Sequence, residues 1–371
     1  MARSNKSDRE RLLRFWSTAS GFWRGRSALS SWPLSIALLA VAMSQLAVQY
    51  RLNYWNRDFF NAIELRDSVR LWHQAALFVP LAFLSISLSV SAVWARMTTQ
   101  RKWREWLTTS VLGTWLGQEH YRRLESVEGE YKNAEYRISF DTRTATDAPI
   151  DLVFGFVSSA LTAFVFIGVL WTVGGGLTFA VGGVELTVPG YLVLGVGIYS
   201  LIFSAAMLAI GRNLPSVIQT ENQAEAELLA AANQIRESGK QPVAAAKDMA
   251  QQNLVWDALR QVLARWRQLC WQLMGTTMVS QTDLLFAPVF AWLLCAPKYL
   301  AGTMTLGELT QASAAFVTVQ VAFNWLVDNY QRLSDWRSAA GRVATLLLAL
   351  DQVALLDAGD ARPQGEPDDR S

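Results

Sequence analysis

Residues 309–327 read LTQASAAFVTVQVAFNWLV, with no charge between Glu308 and Asp328. These 19 residues come close to the ~20 that cross a bilayer core as a helix. The stretch is not uniformly apolar. Thr310, Ser313, Val317, Gln320, Asn324, Val327 and Gln331 follow a 3-4-3-4 spacing, which places them on one helical face. Leu309, Ala312, Phe316, Val319, Phe323 and Leu326 occupy the others. A helix surrounded by lipid has no use for Gln320 and Asn324 at depth, because a polar group in hydrocarbon costs free energy unless it finds a partner. The pattern predicts a membrane helix whose polar stripe faces a partner helix or a water-filled path.

Working outward, the composition agrees. The chain has 371 residues, 51% hydrophobic and only 17% charged, where soluble domains average ~25% charged. Its 16 Trp suit membrane–water interfaces. A net charge of +2 gives no reason to expect nucleic acid as a partner. Cys270 and Cys295 would lie ~37 Å apart on one helix, too far to pair within the chain. His73 and His120 sit in no ligand-spaced cluster, so no metal and no cofactor is expected.

Five further uncharged runs accompany residues 309–327. They cover 27–50, 71–95, 152–184, 186–211 and, interrupted only by Asp283, 268–297. Residues 1–26 are basic. Leu12, Phe15, Trp16, Ala19, Phe22 and Trp23 recur there at helical spacing, which predicts an amphipathic helix lying on the membrane surface. The Ala40-Val41-Ala42 string resembles a signal-peptidase site, but the apolar run continues past it, as in an uncleaved anchor. Gly174-Gly175-Gly176 and Pro189-Gly190 predict a turn joining spans three and four. Residues 351–371 are rich in Asp, Gly and Pro and predict a disordered tail.

With both termini in the cytoplasm, 28 of the 33 Lys and Arg fall on the inner side and 5 outside, as the positive-inside rule requires. The inner connections 96–151 and 212–267 are polar and helix-prone. Continued as helices, 25 of those residues would reach ~37 Å beyond the bilayer. The outer connections are short apart from one long loop at 51–70.

That layout resembles the membrane domain of exporter-type ABC transporters, and local strings narrow it. Residues 52–63, LNYWNRDFFNAI, resemble the outer-loop signature of the SbmA/BacA-like peptide transporters and of their relatives with a fused ATPase. Asn133, Arg137-Ile138 and Asp141 match the family's N-x3-R-I-x2-D pattern. Glu221-Asn222-Gln223, Glu225-Ala226 and Arg236-Glu237 resemble the second inner connection. Residues 296–302, APKYLAG, with Leu306-Gly307 and Gln311, resemble the last outer turn. Asp328-Asn329-Tyr330 and Asp335-Trp336-Arg337 resemble the exit of span six. The resemblance runs in order through residues 30–345.

It implies an all-α polytopic membrane protein with six transmembrane helices and long cytoplasmic helical extensions. The expected parts are a basic amphipathic segment at 1–26, a transporter domain at 27–350 and the tail. The setting is the bacterial inner membrane, and a homodimer follows because a six-span half encloses a path only when two halves meet. The resemblance implies peptide transport without enzymatic activity of the chain itself. ATPase-bearing members continue into a nucleotide-binding domain, whereas no Gly-x4-Gly-Lys-[Ser/Thr] loop occurs in these 371 residues. Gly239-Lys240 is followed by Gln241 and lacks the upstream glycine. The ATPase-free branch uses a proton gradient and carries extra N-terminal apolar sequence, which this chain does not show. Two function classes therefore stand: proton-coupled peptide transport, and the permease subunit of an ABC transporter powered by a separate ATPase chain. A scaffold or receptor accounts for neither the polar stripe nor Asp283.

Asp283 leads the proton-coupling candidates, since an acid at that depth costs ~3 kcal/mol or more and must face a cavity or a partner. A buried acid merely bonded to a neighbouring span is the alternative. Asp141, Glu221 and Glu237 follow, raised by the resemblance above Glu125, Glu128, Glu130, Glu135, Glu225 and Glu227. For any one of these, a solvated helix face paired with Arg122, Arg123, Arg137 or Arg236 is the favoured reading. Gln320, Asn324, Thr310 and Ser313 are the substrate-path candidates, with contact between helices as the alternative. The aromatic string Tyr54, Trp55, Phe59 and Phe60 reads as interface anchoring or an outer gate.

Overall fold

The computed structural model describes residues 13–124, 134–181, 184–238 and 245–360. They form two compact units, Met1–Thr162 with Asp328–Ser371, and Ala163–Val327. Five helical stretches are long and apolar enough to cross a membrane: Ala28–Glu64, Ser68–Leu116, Ala134–Gly174, Tyr191–Glu237 and Gln252–Leu300. A sixth helix, Leu306–Asp328, has 23 residues, enough to span, and is made less apolar by its stripe.

The first unit begins with α1 (13–19) and the 3-10 turns Ser20–Trp23 and Gly25–Ser27. Phe15, Ala19 and Phe22 are at most 2% exposed. They pack with Trp103, Leu107 and Val111 and with Ala340, Val343 and Leu347. The Trp103 indole donates to the Ala19 carbonyl at 3.2 Å. The apolar face expected on the membrane surface is thus turned into protein, because two later helices bring enough apolar area to bury it. Residues 1–12 lie outside the described set.

Helices α2 (Ala28–Glu64) and α3 (Ser68–Leu116) follow. The long outer loop expected at 51–70 is not there. Residues 51–64 contain no Gly or Pro, and α2 runs through them to a turn at Leu65–Asp67. The Asp67 carboxylate caps α3 by accepting from the Arg70 amide at 3.0 Å. The Trp55 indole donates to the Gln74 carbonyl at 2.8 Å and stacks near Phe78, so the aromatic string packs along the α2–α3 hairpin. The 49 residues of α3 measure ~73 Å at 1.5 Å each, one of the long legs expected.

Short helices α4 (His120–Arg123) and α5 (Ala134–Tyr136) lead to a π-helical segment, Arg137–Asp141, and to α6 (Thr142–Gly174). The unit closes with α11 (Tyr330–Asp360). Residues 351–360 are therefore helical where a disordered tail was expected, and Asp351 takes a bidentate hydrogen bond from Arg14. Residues 361–371 lie outside the described set.

The second unit holds the end of α6 and an antiparallel hairpin of β1 (Gly176–Val181) and β2 (Val184–Pro189), registered from Gly176 opposite Pro189 to Val181 opposite Val184. This hairpin is the predicted turn between spans three and four, and it ends span three at Gly174. Gly190 follows with φ +63°, and a Cβ there would lie 2.4 Å from the Trp171 ring, so both backbone and space demand glycine. Helices α7 (Tyr191–Gly211), α8 (Leu214–Ser238), α9 (Ala245–Leu300) and α10 (Leu306–Asp328) complete the unit. The 56 residues of α9 extend ~84 Å. The Lys298 ammonium donates to the Gly174 carbonyl at 2.6 Å, placing a cation at the C-terminus of α6.

Candidate functional site

The buried face of α9 carries Thr276, Asp283, Ala287, Ala291 and Cys295. Their spacing of 7, 4, 4 and 4 is one stripe of a helix. On α10, Gln311, Ala312, Ser313, Ala315, Phe316, Val319 and Gln320 are buried. Phe316 meets Tyr199 of α7 edge-on at 5.6 Å and Phe290 of α9 at 5.9 Å. These aromatics fix the depth at which the polar side chains meet.

There the two leading predictions coincide. Gln320 Nε2 and Asn324 Nδ2 both donate to Asp283 Oδ2, the second at 2.9 Å. Ser204 of α7 donates to Asn324 Oδ1 at 3.2 Å. The Tyr199 hydroxyl donates to the Asp283 backbone carbonyl at 3.3 Å. Three helices thus share one chain of polar contacts around a buried acid. Asp283 Oδ1 is buried with no hydrogen-bond partner among the described residues. Hydrogen bonds to a charged group contribute about 1.5–3 kcal/mol each, so two amide donors can offset the ~3 kcal/mol or more of holding an acid at membrane depth. The open Oδ1 gives the carboxyl a second position at which to take a proton or a donor.

The other substrate-path candidates do not join this cluster. Thr310 donates to the Gly307 carbonyl of its own helix at 3.0 Å, and Ser313 to the Pro288 carbonyl at 3.4 Å. Gln331 lies past the end of α10 and bonds Asp335 within α11. Among the acids, Asp141 is fully buried in the first unit. Arg342 of α11 grips it through Nε at 2.9 Å and Nη2 at 2.7 Å. That hydrogen bond holds the Arg342 guanidinium above its ordinary pKa, against a smaller opposing effect of burial. This is a tie between α11 and the π-helical segment. Glu221 and Glu237 lie along α8, half-exposed and exposed. Glu225 and Glu227 are exposed there too, and Glu135 is exposed on α5. Glu125, Glu128, Glu130, Asn133 and Gly239-Lys240 lie outside the described residues.

Three participants were not anticipated. Tyr199 and Ser204 interrupt the apolar run 186–211, but at five residues apart they lie on no single helical stripe, so periodicity gave no signal for them. Asp151 bridges Arg96 at 3.3 Å and Arg332 at 2.8 Å, and Arg332, like Arg342, gives no local signal of so distant a partner.

A chain whose described residues hold five helices apolar and long enough to cross a membrane, and a sixth of 23 residues, matches the family model described as ABC transporter transmembrane region 2 over residues 25–300. The chain belongs to this family. This ABC transporter transmembrane region is 25% identical over 333 residues to the inner membrane ABC transporter ATP-binding protein YddA of Escherichia coli K12, covering 87% of the chain and 58% of the relative. An uncharacterized ABC transporter ATP-binding protein of Synechocystis is 23% identical over 324 residues, with 85% and 46% covered. ABC transporter D family member 2, chloroplastic, of Arabidopsis thaliana is 20% identical over 354 residues, with 94% and 47% covered. The chain spans about half the length of the curated relatives it matches, and their ATPase parts lie outside the matched region. Asp283 falls inside the family match and Gln320 and Asn324 beyond it.

Proposed function

We propose that this transmembrane region is the substrate-translocating half of a homodimeric inner-membrane transporter that moves peptides, driven by ATP hydrolysis on a nucleotide-binding part that these 371 residues do not contain. The observation that carries the reading is the match along most of the chain to the membrane parts of ATP-binding transporter proteins. The peptide substrate rests on the SbmA/BacA-like strings at 52–63 and 296–302. The inner-membrane setting rests on YddA and on the charge asymmetry between the two sides. Asp283, Gln320 and Asn324 are the groups assigned to the translocation path, because an amide-lined acid suits the donors and acceptors of peptide backbone.

A second reading has its own support. Asp283 is buried with one oxygen unpartnered among the described residues, which suits an acid that loads and unloads a proton as it is exposed to either side. In that reading a proton gradient drives the same dimer, in the manner of the ATPase-free SbmA/BacA-like proteins.

Membrane vesicles from an expressing strain separate the two. Movement of a fluorescent peptide, followed in both directions, is expected to require ATP, to stop with a non-hydrolysable analogue and to survive a protonophore. Movement that ignores ATP and collapses with the protonophore transfers the assignment to the second reading. Vesicles indistinguishable from those lacking the chain would sink both.

A further inference from the structure

The first unit has a cleft of about 530 Å³ between the start of α2 and the polar leg of α3, where Ser27 and Ser30 face Lys102, Glu105, Trp106 and Thr109. The α3 wall is one helical face, since residues 102, 105, 106 and 109 lie three or four apart across successive turns. Lys102 is half-buried and Glu105 exposed. Neither makes an ion pair or a hydrogen bond among the described residues, although opposite charges one helical turn apart are within reach of each other. The Ser27 and Ser30 hydroxyls donate to the Arg24 and Ser27 carbonyls, each at 3.0 Å. The cleft therefore presents a cation and an anion side by side, both unpaired among the described residues.

The sequence sets its depth. Ser27 opens the uncharged run 27–50, and Leu29 and Trp32 beside it are 85% and 56% exposed, as side chains facing lipid are. Lys102 follows the end of the run 71–95 by seven residues, ~10 Å along the helix. α3 passes from its span into the leg, so the leg's side chains lean back toward the bilayer. The Lys102 ammonium thereby reaches the headgroup layer, which occupies the outer ~5–7 Å of each leaflet. Glu105 stands ~4.5 Å further from the hydrocarbon. A phospholipid carries its polar groups in the same order, phosphate next to the glycerol and an amine, where there is one, beyond it.

We propose that this cleft binds the phosphoethanolamine headgroup of a membrane phospholipid, its phosphate on Lys102 and its ammonium on Glu105. The headgroup matches the two side chains in sign and in order of depth. Phosphatidylglycerol offers Glu105 no positive charge, and its phosphate is left beside an anion. The quaternary ammonium of phosphatidylcholine has no N–H to donate to the carboxylate, so it forfeits the charge-assisted hydrogen bond that a primary ammonium makes.

The test uses the full chain in detergent with equal amounts of phosphatidylethanolamine, phosphatidylglycerol and phosphatidylcholine, and bound lipid is counted by native mass spectrometry. Phosphatidylethanolamine should be retained about fivefold over each of the others, the contribution of roughly one charge at a membrane surface. Glu105→Gln should make phosphatidylethanolamine and phosphatidylglycerol equal. Lys102→Gln should lower the retention of both by about fivefold. Arg101→Gln, on the same leg but outside the cleft lining, should leave every ratio unchanged. None of these three side chains has a partner among the described residues, so the variants keep the parent fold. Equal retention of the three lipids overturns the proposal, as does a preference that survives Glu105→Gln or is lost equally in Arg101→Gln. Excess soluble glycerophosphoethanolamine should leave the lipid bound; displacement would assign the cleft to a free phosphoethanolamine compound and overturn the lipid as its ligand.

Discussion

Arg342→Ala tests how the first unit is held together. The Asp141 side chain is 1% exposed and the Arg342 side chain 50%, and two hydrogen bonds of 2.9 and 2.7 Å join them. Breaking a fully buried ion pair costs about 3–5 kcal/mol because the remaining charge is stranded. A surface pair contributes up to about 1 kcal/mol. With one partner buried and the other half in water, some solvent can reach the vacated space, and about 2–3 kcal/mol is expected. That is a rise of about 30- to 150-fold in the local opening constant. Because the Arg342 pKa is raised, its share of the stability is fully present below the ordinary arginine value and is lost only above the raised one. Titration of Arg342 therefore leaves the effect unchanged up to about pH 10. Native-state hydrogen exchange should show the loss of protection in segments 138–146 and 339–350. Adding Asp141→Asn removes the stranded charge and should recover about 1–2 kcal/mol, a coupling expected of contacting residues. Protection within twofold of the parent in both segments, or no recovery in the double variant, would refute the argument.

Other expectations follow from the same geometry. In a Cys270→Ser, Cys295→Ser background, Ser68→Cys should react with an impermeant thiol reagent from outside and Ser139→Cys should not; the reverse pattern overturns the orientation drawn from the charge asymmetry. Purified protein in detergent should have a protein mass near twice 41.3 kDa, and a monomer that still transports would exclude the dimer. Gly190→Ala, which forces a side chain into the left-handed region and against Trp171, should destabilise the second unit by about 2–4 kcal/mol, read as earlier thermal unfolding in detergent; an unchanged midpoint contradicts the packing. Ser204→Ala should cost only about 0.6 kcal/mol, the usual size of a polar contact between membrane helices, and a large loss of stability there would mean that the α7 contact is essential to the bundle.

The membrane helices were legible because the bilayer imposes length and composition on each span without reference to its neighbours. Asp283 and the stripe on α10 were legible for the same reason, as polar groups where hydrocarbon forbids them. Their meeting was not, since the contacts from Gln320 and Asn324 to Asp283 join residues 37 and 41 apart and helical periodicity says nothing of which stripe faces which. Charge misled at 51–70, where Arg51, Arg57, Asp58, Glu64, Arg66, Asp67 and Arg70 suggested a loop. The absence of Gly and Pro and the capping Asp67 would have argued for helix. Basic charge misled again at the N-terminus. Phe15, Ala19 and Phe22 have the spacing of a membrane-surface helix, and the same spacing serves a helix buried against α3 and α11. Only the tertiary partner distinguishes them. Asp141 shows the same limit, because Arg342 lies 201 residues away.

We propose that peptide movement through these 371 residues is driven from a nucleotide-binding part outside them. Proteoliposomes containing only the purified protein, loaded in both orientations and given an imposed pH gradient without ATP, test it most directly. The account predicts no accumulation of labelled peptide above protein-free vesicles. Accumulation that follows the gradient, vanishes with a protonophore and is abolished by Asp283→Asn would contradict it and establish the proton as the driver.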